Sequence, residues 1–224
     1  MRATSMAAMG LFLVAPFLAP LASPLDAQET NPTHPHLGHV ADGWRDTPEG
    51  MGFLPTAVAE ARAAAQHAAF AARDLENLES MKRHADHVLH AVDTERMAEG
   101  PGHGYGVKRA AEGVIAHLGM AMDHQETTGN IRTHGNHVVT STRNTLERVE
   151  RIASLVERIQ AAGTAAEAAP LVQELDLVAT QLLEGEDLDG NGQVSWQEGE
   201  GGLAQAEQHM ELLLRGEGLR EGQR

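Results

Sequence analysis

Between residues 130 and 162, Ile131, His134, Val138, Thr142, Thr145, Val149, Ile152, Val156 and Ile159 advance by threes and fours. That spacing puts side chains on one face of an α-helix and gives a single buried stripe. The opposite side, with Arg148, Glu150, Arg151, Glu157 and Arg158, is charged. A helix with one apolar stripe has to be covered by other helices, and the composition supplies them. Aromatic residues make up 3% of the chain while the apolar fraction reaches 42%, a balance carried by Ala, Leu and Val that favours packed helices over a β-sandwich. The expected fold class is all-α.

Further helical patterns fall at 55–73, 75–93, 106–123, 167–185 and 198–215. Gly163 ends the long helix, and Thr164 with Glu167 has the spacing of a capping box for the next one. Residues 28–50, rich in Pro, His and Gly, read as an extended arm, and residues 217–224 as a disordered tail.

Three short segments repeat one pattern: "HLGHV" from His36, "HADHV" from His84 and "HGNHV" from His134, with starts 48 and 50 residues apart. Between successive copies, "GMGFLP" and "GHGYGV" each open a helix with one central histidine, His67 or His117, which precedes the next HxxHV by 17 residues both times. Residues 51–163 therefore read as a bundle of two helical hairpins built on one plan plus the long helix, and residues 164–216 as a helix–loop–helix packed on it. The glycines around His103 and Tyr105 lack the strand that a phosphate-binding loop requires, so "GHGYG" reads as a helix-entry turn with an aromatic plug.

The first 27 residues carry Arg2, an apolar run broken by Pro16, Pro20 and Pro24, and a polar exit, the pattern of a secretory signal rather than a spanning helix. The expected location is secreted or periplasmic, with no membrane span after cleavage. A formal charge of −15 disfavours nucleic acid as a partner and favours cations. Without any cysteine, disulfides, thiolate metal sites and covalently attached haem are excluded.

In "DLDGNGQVSWQE", Asp187, Asp189 and Asn191 stand at positions 1, 3 and 5, Gly192 at 6, Val194 at 8, Ser195 at 9 and Glu198 at 12. Alternating short oxygen side chains around a glycine turn suit a hard cation that wants six to eight oxygens. The stretch resembles the EF-hand family over the loop and its flanking helices. The resemblance implies a Ca²⁺ site formed by Asp187, Asp189, Asn191, the Gln193 carbonyl, Ser195 and Glu198. EF-hand loops usually pair through position 8, so Val194 is expected to pair with another chain, in a homo-oligomer or with a protein partner, or to pack alone. Gly199, Gly201 and Gly202 weaken the start of the exiting helix, and the ion expected is structural rather than regulatory.

Histidines at i and i+3 on a helix lie on nearly one face and can reach one metal ion. If the chain reverses near residues 75–76 and 125–126, equal arms bring His67 beside His84 and His117 beside His134. "HQETTGN" breaks a helix, whereas "RDLENLES" has neither Gly nor Pro. Kept helical, it would hold His67 and His84 about 25 Å apart. The candidate ligands are His67, His84, His87, His117, His134 and His137, and imidazole suits zinc, copper, nickel or iron equally. Packing and hydrogen bonding are the competing account of the same residues. The leading expectation is an exported calcium-binding helical bundle with a structural or interaction role and no enzymatic activity. The alternative is a protein that carries a transition metal or non-covalent haem b on the repeated histidines.

Overall fold

The computed structural model describes residues 31–220. Seven α-helices and no strand are present among them: α1 His34–Ala41, α2 Phe53–Ala72, α3 Leu78–Val92, α4 Val107–Asp123, α5 Gly129–Ala161, α6 Ala165–Glu184 and α7 Leu203–Gly216. The expected all-α bundle is what the chain forms. No helix among the described residues is long and apolar enough to cross a membrane. The proposed signal, 1–27, lies outside the described residues, as do 221–224 at the end of the tail.

Local chemistry accounts for the helix ends. The Asn77 side chain accepts from the Ser80 N–H at 3.0 Å and so starts α3 within "RDLENLES". An N-cap therefore turns a segment that has no Gly or Pro, and α2 and α3 form a true hairpin. Thr128 accepts from Ile131 N–H at the start of α5, and Thr164 with Glu167 closes a reciprocal capping box on α6.

Two helices organise the bundle. α3, α4, α6 and α7 each pack against both α2 and α5, while α2 and α5 make no extensive contact with each other. Along α2 the buried positions Ala57, Ala61, Ala64, Ala68 and Ala71 are small, which allows close approach on several sides. Along α5 the predicted stripe is buried from Ile131 through Val138, Thr142, Thr145, Val149, Ile152 and Val156 to Ile159. The opposite face of α5 is not uniformly solvated. Arg148 is buried, and its guanidinium donates to the carbonyls of Gly199, Gly201 and Glu200 at 2.7, 2.7 and 2.9 Å.

Three further expectations are corrected. Residues 31–50 are not an extended arm, because α1 buries Leu37 and Val40 completely and a short 3₁₀ turn follows at Pro48–Gly50. The last helix starts at Leu203 rather than at Glu198, since Gly199, Gly201 and Gly202 occupy an irregular turn held by Arg148 and Asn144. Residues 217–220 are tied down: Glu217 accepts from Thr128 Oγ1 at 2.6 Å and from Asn130 Nδ2 at 2.8 Å, and Leu219 packs on the core.

The "GHGYG" turn has a structural role. Glu60, fully buried in α2, accepts from the backbone N–H groups of His103, Tyr105 and Gly106 at 3.1, 2.7 and 3.0 Å, and Tyr105 is buried beside it. Glu60→Ala orphans these three donors and is expected to cost about 3 kcal/mol in urea unfolding, with Glu60→Gln costing less because one acceptor oxygen remains.

Candidate metal centres

The helix register explains why the histidines meet. In each HxxHV segment, the positions three before the first histidine, one after it and four after it are buried: Thr33, Leu37 and Val40; Met81, Ala85 and Val88; Ile131, Gly135 and Val138. Both histidines of the pair therefore stand at the margin of the buried stripe, on the same side. A third histidine faces each pair from a neighbouring helix and stands in the same register. Around His67, His117 and His209 the buried residues again fall three before, one after and four after: Ala64, Ala68 and Ala71; Val114, Leu118 and Ala121; Ala206, Met210 and Leu213.

Three triads result, each drawn from one helix pair. His36 and His39 of α1 meet His117 of α4, His84 and His87 of α3 meet His67 of α2, and His134 and His137 of α5 meet His209 of α7. Within each triad, one ligand nitrogen per residue lies within 4.8 Å of the others. The Nδ1 atom of the single histidine is the centre of each group. His117 Nδ1 lies 3.2 Å from His36 Nδ1 and 3.3 Å from His39 Nδ1. His67 Nδ1 is 3.1 and 3.2 Å from those of His84 and His87, and His209 Nδ1 is 3.1 and 3.3 Å from those of His134 and His137.

Hydrogen bonding accounts poorly for this arrangement. An imidazole nitrogen carries either one hydrogen or one lone pair, so the central Nδ1 completes one hydrogen bond and leaves its second close neighbour unsatisfied. Three lone pairs directed at one ion remove the conflict. For metal–nitrogen bonds of 2.0–2.1 Å in a tetrahedral arrangement, neighbouring nitrogens stand about 3.3–3.4 Å apart, close to the spacing seen in all three groups.

Aromatic side chains wall every triad. Phe53 stacks on His117 with ring centroids 5.2 Å apart, and Trp44 lies 4.6 Å from His39 and 5.1 Å from His117. Phe70 packs against His67 and His84 at 5.4 and 5.5 Å. Trp196 stacks on His137 at 3.7 Å and 13°. Residues 31–220 contain five aromatic residues, and four of them serve these walls; only Tyr105 does not. Gly113 belongs to the first site, because a Cβ there would collide with the Phe53 ring.

Burial lowers the pKa values of His39, His67, His84, His87, His117 and His137, helped by neighbouring histidines, and for His84 and His87 by Arg83. His209 is pulled down to about 4, first by burial and then by His137 and His134. These seven rings are thus held toward the neutral form, which has a lone pair to offer.

A fourth cluster is built from oxygens. Asp187, Asp189 and Glu200 bring carboxylate oxygens within 4.8 Å of one another. Asp187 accepts from the N–H groups of Asn191 and Gly192 at 3.1 and 2.8 Å, and Asn191 Oδ1 accepts from Gln193 N–H at 2.8 Å. Glu198, expected as the closing ligand, is exposed and lines a cavity of about 190 Å³ with Thr140, Arg143, Asn144 and Glu147. Glu200 lies in the cluster instead, buried, with Oε2 accepting from the Ser195 N–H and hydroxyl at 3.0 and 2.6 Å, which lowers its pKa. The delayed start of α7 is the reason: the turn through Gly199 carries the chain past position 12 before a carboxylate points inward.

All six histidines expected as ligands therefore fall in triads, but His117 does not join His134. α1, in the segment expected from the sequence to be an extended arm, supplies the partners of His117. His209 was missed because it belongs to no HxxHV repeat. The one signal for it is the matching offset of buried residues around His67, His117 and His209. Comparison of the chain with protein-family models, curated proteins and solved structures finds no match.

Two measurements follow. Because the fold favours the neutral imidazoles, it binds fewer protons than the unfolded chain below pH 6.5, so stability of the metal-free protein is full above that value and lost as pH falls through it toward about 4. Thermal unfolding without metal is expected to drop by at least about 4 °C between pH 7.5 and 5. Gly113→Ala should displace Phe53 from its stack on His117 and, as overpacking at a cost of about 1–3 kcal/mol, lower the Tm by several degrees.

Proposed function

We propose that this protein is a metal-binding helical bundle that carries one transition-metal ion in each of three three-histidine sites, in a non-catalytic role. The observation that carries this reading is the approach of two histidine Nδ1 atoms to the Nδ1 of a third at 3.1–3.3 Å, made three times from different helix pairs with the same register and an aromatic wall. One half-buried histidine cluster fits ordinary packing, whereas three copies of one donor geometry favour a role as ligands. An ion fits this geometry better than haem, which requires two ligands facing each other across a broad apolar slot. Four cavities of about 180 to 410 Å³ are lined by residues other than the triad histidines, which favours the ion itself as cargo over an organic substrate at the metal.

Each ion bridges two helices and adds folding energy. At free ion about 100 times Kd, binding contributes about 2.7 kcal/mol per site. Metal analysis of purified protein is expected to give three equivalents, with a rise in Tm on the order of 15 °C over the chelated form. His67→Ala, His117→Ala and His209→Ala should each remove one equivalent. Retention of all three ions by each variant would defeat the assignment.

The oxygen cluster supports a second reading, a structural Ca²⁺ in the loop at 187–200, in a protein exported to a calcium-rich compartment. Its hard donors suit Ca²⁺ and not the ions that the triads suit. Glu200→Gln is expected to abolish Ca²⁺ uptake in calorimetry, whereas Glu198→Gln should leave it intact. The reverse result would restore Glu198 as the closing ligand.

A further inference from the structure

The three triads share a property that bears on which ion they take. Each consists of imidazole nitrogen donors alone. No carboxylate joins any of them among the described residues, although the chain has 32 acidic residues, and no thiolate exists to do so. Three of those acids gather in a cluster of their own at 187–200. The fold thus separates soft-to-borderline nitrogen donors from hard oxygen donors.

A dication held by three uncharged ligands keeps both charges uncompensated. Such sites normally add water or an anion as a fourth ligand. Here the half-buried histidines of each site have aromatic rings on one side, Trp44 and Phe53, Phe70, and Trp196, which exclude water there without offering an anionic ligand. The second triad is also flanked by two arginines: Arg73 stands over the Phe70 ring at 5.0 Å, and Arg83 is four residues before His87 on the same helix face. The cost of desolvating an ion grows with the square of its charge, so a monovalent ion is penalised about four times less than a dication at the same place. Aromatic faces add attraction for a cation that has shed its water.

We infer that the triads are sites for cuprous copper, a monovalent first-row ion that is satisfied by three imidazole nitrogens without an anionic fourth ligand. This rests on the reading of the triads as metal sites and specifies their cargo. Held in this way, the ion has no carboxylate ligand from the described residues to support hydrolytic chemistry.

The test is a competitive titration of the full chain without oxygen, using Cu(I) supplied as its acetonitrile complex against a chromogenic Cu(I) chelator, followed by Zn(II). Three equivalents of Cu(I) are expected, silent in electron paramagnetic resonance and reduced to two in His117→Ala, His67→Ala or His209→Ala. A roughly tenfold excess of Zn(II) should leave the bound copper in place. Circular dichroism separates lost sites from lost fold, and His→Gln at the same positions, which keeps side-chain volume while removing the imidazole, should lose the same equivalent. Displacement of Cu(I) by Zn(II), or tighter binding of Zn(II) at the triads, overturns the cuprous assignment while leaving them metal sites. Failure to bind either ion overturns both.

Discussion

Convergence of imidazole nitrogens depends on how two amphipathic helices bury their stripes against each other. Positions three before, one after and four after a histidine go into the interface, which leaves that histidine at its edge. When both helices of a pair follow this rule, their marginal histidines are forced to the same side of the seam. Packing then sets the ligand geometry, and no loop is needed to place a donor. Sites built on helices in this way are held by the core, and their precision follows from close packing.

Much of this was legible in the sequence. α5 announced itself because its stripe runs unbroken, and the HxxHV pairs were visible because two histidines and a valine at fixed spacing leave a local trace. α1 was not legible, since Pro35 and Gly38 within eight residues resemble a turn-rich arm. It forms because Leu37 and Val40 find the groove beside α4, a tertiary effect that overrides propensity. The partnering of His117 was hidden for the same reason. A hairpin argument links histidines that are near in sequence, whereas 78 to 81 residues separate His117 from its partners. At the oxygen cluster, motif spacing pointed to Glu198, but the three glycines that follow postpone the helix and bring Glu200 inward.

The turn after the oxygen cluster also shapes the third triad. Asn144 and Arg148 hold the carbonyls of Gln197, Gly199, Glu200 and Gly201 against α5, and the adjoining Trp196 stacks on His137. His209 follows one and a half turns into α7, whose start this segment determines. The third site is thus framed by an irregular segment on one side, while helix-borne Phe53 and Phe70 contribute to the walls of the other two.

Both ends of the described chain are fastened at one corner. His34 Nε2 lies 3.5 Å from Glu217, and Arg220 pairs with Asp42. Tension applied between Asn31 and Arg220 would load this corner first, then peel α1 and α7, stripping two ligands from the first triad and one from the third. The second triad, on α2 and α3 in the interior of the chain, would bear that load last, so mechanical extension would take the triads apart in an order set by connectivity.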